Sequence, residues 1–297
     1  MLGEETRKDA RQGEEYMGYK LADIESALDP KVTIPTWMDL VSAYASPNET
    51  ARRTHPPETF QYADHPRAAL DLYRTEGSGG APALIFFHGG GFKLLSKDDV
   101  AFGAPMFNAA GVTYIAPSYP LTPDVRFSEL LAYTRQAAKW IYENAQALGI
   151  DRERIYVGGA SAGGFISAYL LTTDWRDFGL PRSIFKGGMP LNSVFDARPL
   201  YLSPGWDYLS MSEDEVEALS PIHHLSNLAA PTFVSWAEDE PPLLAASSRQ
   251  FVEALRERGL LAGAYVAPGR NHFDMVLDLT DPESALFRTM ADMILAG

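Results

Sequence analysis

From residue 83 onward the chain alternates short apolar runs with amphipathic stretches. The runs read ALIFF at 83–87, VTYIAP at 112–117, RIYVGG at 154–159, PTFVSW at 231–236 and AYVAP at 264–268. Runs this short, mostly apolar and bounded by glycine or proline, predict strands buried on both faces. Between the second and third, SELLAYTRQAAKWIYENAQALG places apolar residues at i, i+3, i+4 and i+7 and ends at a glycine, which predicts a helix. Strands alternating with such helices indicate an α/β fold built on a mainly parallel sheet covered on both faces.

The flanking regions break this rhythm. Upstream, FQYA and AALDLYRT are extended pieces separated by a polar HPR, a pattern that predicts a hairpin starting near Glu58. Residues 1–57 mix charge, aromatics and prolines, and Met17, Tyr19, Leu21, Ile24 and Leu28 fall roughly at helical spacing before Pro30, which predicts a helical arm. Residues 196–225 are rich in proline, tryptophan, tyrosine and acid, and are expected to form an insertion over one end of the sheet. The Gly77-Ser78-Gly79-Gly80 run is a loop, not a phosphate cradle, because no Lys-Ser/Thr pair and helix follow it.

Composition narrows the partners. With 297 residues and 46% hydrophobic content, the chain can bury a sizeable core as one large domain or two modest ones. A formal net charge of -14 repels nucleic acid and anionic membrane, so neither is expected as a partner. There is no cysteine, which excludes disulfides, thiolate metal sites and cysteine nucleophiles. The first twenty residues are charged where a signal peptide needs an apolar core, and no run approaches the roughly 18 apolar residues of a spanning helix. A cytoplasmic protein is therefore the expectation.

Two stretches carry chemistry. Gly159-Ala160-Ser161-Ala162-Gly163 is a G-x-S-x-G between a predicted strand and the helix-compatible GFISAYLLT. A hydroxyl presented on a sharp strand-to-helix bend requires small residues on both sides, because larger ones would collide. A glycine-rich helix start would give a similar stretch. The second feature, His88-Gly89-Gly90-Gly91 directly after ALIFF, leaves backbone N–H groups free at a strand end, where they can stabilise an oxyanion. A flexible loop is the alternative, but it would not explain a triglycine paired with a glycine-flanked serine.

This pairing resembles the hormone-sensitive-lipase type of α/β-hydrolase. The chain is more closely similar to the kynurenine formamidase (arylformamidase) branch in FQYADHPRAALDLY, SYPLTPDVRFSELL, LLTTDW, NSVFDARPL, EALSP and NHFDMVLDLTDP, over about residues 55–290. The resemblance implies an α/β-hydrolase domain over 58–297, a mainly parallel sheet of about eight strands, and a small cap made of the 1–57 arm and the 196–225 insertion. It also implies the chain order serine, acid, histidine. On that order the nucleophile is Ser161, the base is His272 in GRNHFD, and the acid lies in Ala237-Glu238-Asp239-Glu240-Pro241. The family pattern laid on AEDEP puts Glu240 at the acid position, with Asp239 as second candidate and Glu238 as a solvated charge. Glutamate departs from the family's usual aspartate. So does Ala246-Ser247-Ser248, where the formamidase pattern has Arg-Gln-Ser.

The expected mechanism is acyl transfer. Ser161 attacks an ester or amide carbonyl, His272 removes its proton, and Glu240 orients the imidazole. The resemblance assigns Gly90, Gly91 and Ala162 as oxyanion donors, with Gly89 serving the turn and His88 supporting the loop. His223 and His224 precede the acid and are assigned to the surface or cap. Phe92, Trp206 and Tyr208 are candidate substrate contacts, with Tyr201 nearby. No metal or organic cofactor is needed; the expected partner is a small ester or amide, aromatic ones included, and a homodimer is left open. Three functions remain: carboxylesterase, N-formylkynurenine formamidase, and a ligand-binding module on a dead scaffold resembling the plant gibberellin receptors. The last typically lacks a triad member, whereas all three candidates are present here.

Overall fold

The strands the sequence predicts assemble through the hydrophobic pattern that predicted them. The computed structural model describes residues 15–77 and 79–297. The first fourteen residues of the expected arm, and Ser78 of the glycine loop, lie outside the described residues. A two-stranded ribbon, β1 (Glu15–Tyr16) and β2 (Tyr19–Lys20), comes first. Among the described residues one large sheet follows, with β3 (Glu58–Gln61), β4 (Ala69–Tyr73), β5 (Ala81–Phe87), β6 (Thr113–Pro117), β7 (Ile150–Ala160), β8 (Gly187–Leu191), β9 (Thr232–Asp239) and β10 (Leu261–Asn271). Its spatial order is β10-β9-β8-β7-β5-β6-β4-β3. β4 runs antiparallel to β3 and β6, and the remaining pairs are parallel.

Side chains along a strand leave alternately on opposite faces, so the sheet divides the interior in two. Ala83, Ile85 and Phe87 of β5 join Ile155, Val157 and Val234 in one core. Leu84 and Phe86 join Tyr114, Tyr156 and Phe233 in the other. β6 lies on one side of β5 and β7 on the other. The winding therefore reverses at β5, and a crevice opens beyond the carboxyl ends of β5 and β7, where ligands bind in such sheets. Both motifs picked out in the sequence lie at those ends.

Three elements differ from the sequence expectation. Met17 and Tyr19 are not helical: Met17 and Gly18 have φ of +51° and +81°, the two left-handed residues of a tight hairpin turn, and the helix begins at Leu21. The helix after β6 spans Phe127–Glu143 and stops short of Gly149, because Asn144 to Gly149 turn the chain into β7. β8, sequence GGMPL, has no β-branched residue and gave no strand signal. Its glycines answer to packing instead, since a Cβ on Gly188 would collide with the Leu171 side chain.

The arm continues as helices Leu21–Leu28, Pro30–Thr33, Trp37–Ser42 and Ala45–Thr54. It is pinned to the sheet by Asp71 of β4, a fully buried carboxylate that accepts from Thr59 Oγ1 and Arg52 Nη1, both at 2.6 Å, and from Lys97 Nζ at 3.1 Å. At the other end Tyr16 donates to Asp196 Oδ2 at 3.1 Å, at the start of the 196–225 stretch, which itself forms short helices between β8 and β9. Asp71→Ala leaves two cations without their shared buried partner, and is expected to lower the unfolding free energy by about 3 kcal/mol in urea denaturation. Glu253→Ala, which breaks an exposed pair with Arg256, leaves the midpoint nearly unchanged.

Candidate active site

Ser161 follows β7 and opens helix Ala162–Leu171 with φ +57° and ψ −121°. A residue with a Cβ is held in this region at a strain of about 1–3 kcal/mol. Hydrogen bonds on both sides of Ser161 hold it there: its N–H donates to the Leu191 carbonyl at 3.0 Å, and its own carbonyl accepts from Phe165 N at 3.1 Å and Ser193 Oγ at 2.8 Å. A Cβ at position 159 would sit 2.7 Å from the Phe87 carbonyl oxygen, and one at position 163 would collide with the same atom. That is the physical reason for small residues around this serine.

His272 Nε2 lies 3.0 Å from Ser161 Oγ, and His272 Nδ1 makes a close hydrogen bond with Glu240 Oε1. Both side chains are buried, and Glu240 Oε2 also accepts from Ala237 N at 3.3 Å. Asp239 is exposed at the end of β9, opposite Asn271 of β10, and makes no contact of this kind. Glu238 is likewise exposed and accepts from Gly269 N at 2.8 Å. His223 and His224 lie in a turn at Pro221–His224, away from these groups, with His223 Nε2 3.8 Å from Asp196.

One residue of this cluster was missed by the sequence reading. Asn192, buried at the end of β8 with φ +50°, donates from Nδ2 to the His272 carbonyl at 2.9 Å. Its neighbours Leu191 and Ser193 hold the backbone of Ser161, so one turn braces both residues. Strand propensity does not mark β8; the signal at its terminal turn is the family-like stretch NSVFDARPL, which begins at Asn192.

The glycine loop lies against the serine. A Cβ on Gly89 would be 3.2 Å from Ser161 Cβ, and Gly90 and Gly91 have φ of +96° and +60°. The Gly90 carbonyl accepts from Lys93 N and Leu94 N, and the Gly91 carbonyl accepts from Tyr208 at 2.9 Å. Among the described residues, the N–H groups of Gly90, Gly91 and Ala162 donate to no protein group. His88 is fully buried, stacked on Tyr119 with ring centroids 4.1 Å apart, and its Nδ1 faces the Gly89 carbonyl at 2.8 Å.

A cavity of about 280 Å³ opens over Ser161 and His272. Phe92, Trp206 and Tyr208 line it, joined from the arm by Leu28, Trp37 and Tyr44. Phe92 is itself buried, edge-on to Phe127 at 4.8 Å, so it supports the wall more than it faces the opening. Tyr201 is not among the lining residues. Among the described residues no group of three or more His, Cys, Asp or Glu side chains is placed to hold a metal ion, and no helix is long and apolar enough to cross a membrane.

Burial pushes the His88 imidazole down from its ordinary 6.5 to about 3, against the smaller upward pull of the Gly89 carbonyl. A group kept neutral when folded, but protonated when unfolded, carries stability that is full above 6.5 and is lost as pH falls toward 3. Between pH 7.5 and pH 5 the unfolding free energy of the wild type should fall by about 2 kcal/mol more than that of His88→Phe. Equal falls would show that His88 is not held neutral.

Comparison with known proteins places the fold. A family model described as alpha/beta hydrolase fold matches residues 84–275. A kynurenine formamidase of Danio rerio is 26% identical over 261 residues, covering 86% of this chain and 87% of that protein. An ethyl acetate hydrolase of Pseudomonas putida is 28% identical over 211 residues, covering 64% and 65%. Among solved structures, an esterase of Pyrobaculum calidifontis shares the fold with a TM-score of 0.67 at 22% identity, covering 93% of this chain and 97% of that one. The chain belongs to the α/β-hydrolase family, in the branch that contains kynurenine formamidases and carboxylesterases, and is a hydrolase.

Proposed function

We propose that the protein cleaves a small carboxylic ester, or an activated amide, through an acyl-enzyme on Ser161. The observation that carries this reading is the continuous relay from Ser161 Oγ to His272 Nε2 at 3.0 Å and from His272 Nδ1 to Glu240. A serine hydroxyl is a weak nucleophile until a base takes its proton, and the base must be held in one tautomer by a partner on its other nitrogen. Oγ bonds to the carbonyl carbon as its proton passes to Nε2, and the carbonyl oxygen becomes an oxyanion facing the N–H groups of Gly90, Gly91 and Ala162. Each such donor contributes on the order of 3 kcal/mol in the transition state. The proton on Nε2 then goes to the leaving oxygen or nitrogen as its bond to carbon breaks. Water, deprotonated by the same imidazole, attacks the acyl-enzyme, and the acid departs as Ser161 regains its proton.

Similarity to the Danio rerio kynurenine formamidase supports a second substrate, an aryl formamide. The two differ at the acyl side: a formyl group needs no acyl pocket and an ester of longer chain does.

Ser161→Ala is expected to lower kcat on p-nitrophenyl butyrate about ten-thousand-fold or more with little change in KM. Glu240→Gln should lower kcat by ~10³- to 10⁴-fold, while Asp239→Asn stays within about twofold. Full activity in Ser161→Ala contradicts the mechanism, and a large loss confined to Asp239→Asn reassigns the acid. N-formylkynurenine assayed beside the esters decides the substrate, by whichever kcat/KM is higher. Silence of the wild type on every substrate would favour a binding module.

A further inference from the structure

The cavity over Ser161 straddles the end of the sheet, and its two halves continue the two separate cores. Leu28, Val194, Leu200 and Leu244 belong to the core that holds Ile85 and Phe87, with Trp206 and Tyr208 packed on it. Tyr44, Val100, Phe102 and Val276 belong to the core that holds Leu84 and Phe86, with Val41 packed on it. Trp37 adds to this second half, its ring centroid 6.4 Å from that of Phe273. Ser161 lies between the halves. Both halves are mainly apolar, with Asp29, Lys31, Lys93 and Asp99 also on the cavity lining, and a substrate small on one side would leave apolar surface unused.

The groups around Ser161 tell the halves apart. The glycine loop abuts the first: Tyr208 donates to the Gly91 carbonyl, and a Cβ on Gly91 would lie 3.7 Å from the Trp206 ring. The base abuts the second, because Phe273 and Val276 follow His272 in the chain and Tyr44 donates to the Phe273 carbonyl. In the tetrahedral intermediate one substituent is the oxyanion, one is the bond to Oγ, and the leaving group must face the Nε2 proton it takes. The leaving group is therefore directed to the His272 side, and the acyl chain to the side left over.

We infer that the Val194, Leu200 and Leu244 half is an acyl pocket for an apolar chain of several carbons, and that the Trp37, Val41 and Phe273 half receives an apolar or aromatic leaving group. The assignment rests on the acyl-enzyme reading above and sharpens it: the substrates are esters apolar on both sides of the scissile bond. A formamide would fill the leaving-group half and leave the acyl pocket empty.

The test measures kcat/KM for p-nitrophenyl acetate, butyrate and octanoate, and for ethyl and phenyl butyrate, in the wild type, Leu244→Phe, Leu200→Ala and Trp37→Ala, each checked for folding by circular dichroism. Wild-type turnover of esters that Ser161→Ala lacks supports the acyl-enzyme itself; silence on all esters overturns it and the pocket assignment together. Given turnover, Leu244→Phe should lower the octanoate-to-acetate ratio about tenfold and leave the phenyl-to-ethyl ratio within about twofold. Trp37→Ala should lower the phenyl-to-ethyl ratio about tenfold and leave the octanoate-to-acetate ratio within about twofold. Should Leu244→Phe fail to fold, Leu200→Ala, which enlarges the same half, should raise the octanoate-to-acetate ratio. Crossed effects, both ratios moving in each variant, or neither ratio moving would overturn the assignment while leaving the hydrolase reading intact.

Discussion

The carbonyl of Phe87 occupies the space that a Cβ at position 163 would need, and much of the site follows from that one close approach. It brings the last residue of β5 against the first turn of the helix after β7. A side chain at either glycine would push the helix away. With hydrogen atoms alone between them, the helix seats tightly, Ser161 is forced into a left-handed φ, and its hydroxyl stands above the sheet end. The glycine loop starts directly beyond Phe87, so the same contact brings Gly89 against Ser161. The strain at Ser161 is offset by its hydrogen bonds to Leu191, Ser193 and Phe165.

Burial then organises the rest. Glu240 and His272 are shielded from water, and their electrostatic interaction is screened far less than one at the surface. The arm contributes by closure. Asp71 fastens the helix Ala45–Thr54 to the sheet, Tyr44 reaches the loop that carries His272, and Trp37 and Leu28 line the cavity. The arm thus supplies part of the cavity wall.

Much of this was legible in the sequence because the relevant physics is local. Alternation of apolar runs with amphipathic helices specifies a parallel sheet without knowledge of contacts, and glycines around a lone serine specify a tight bend. The choice of Glu240 over Asp239 came from the family's spacing, and in the structure Glu240 meets His272 while Asp239 faces solvent. What stayed illegible is nonlocal. β8 opens with two glycines because the Tyr156 and Leu171 side chains press on positions 187 and 188, and strand propensity is silent about such neighbours. Asn192 was lost with it. The apolar spacing from Met17 to Leu28 predicts helix where Met17 and Gly18 form a hairpin turn, because periodicity over five residues outweighs a turn only two residues long. The division of the cavity depends on which core each lining residue joins, and residues from 28 to 276 meet there only after folding.

The most direct measurement of the central claim is mass spectrometry of the intact protein and of its proteolytic peptides after rapid acid quench of the enzyme with p-nitrophenyl octanoate. An acyl adduct on the peptide containing Ser161, formed with the wild type and absent from Ser161→Ala, is the predicted result. Turnover with no adduct at any quench time, or an adduct on another residue, would contradict an acyl-enzyme at Ser161.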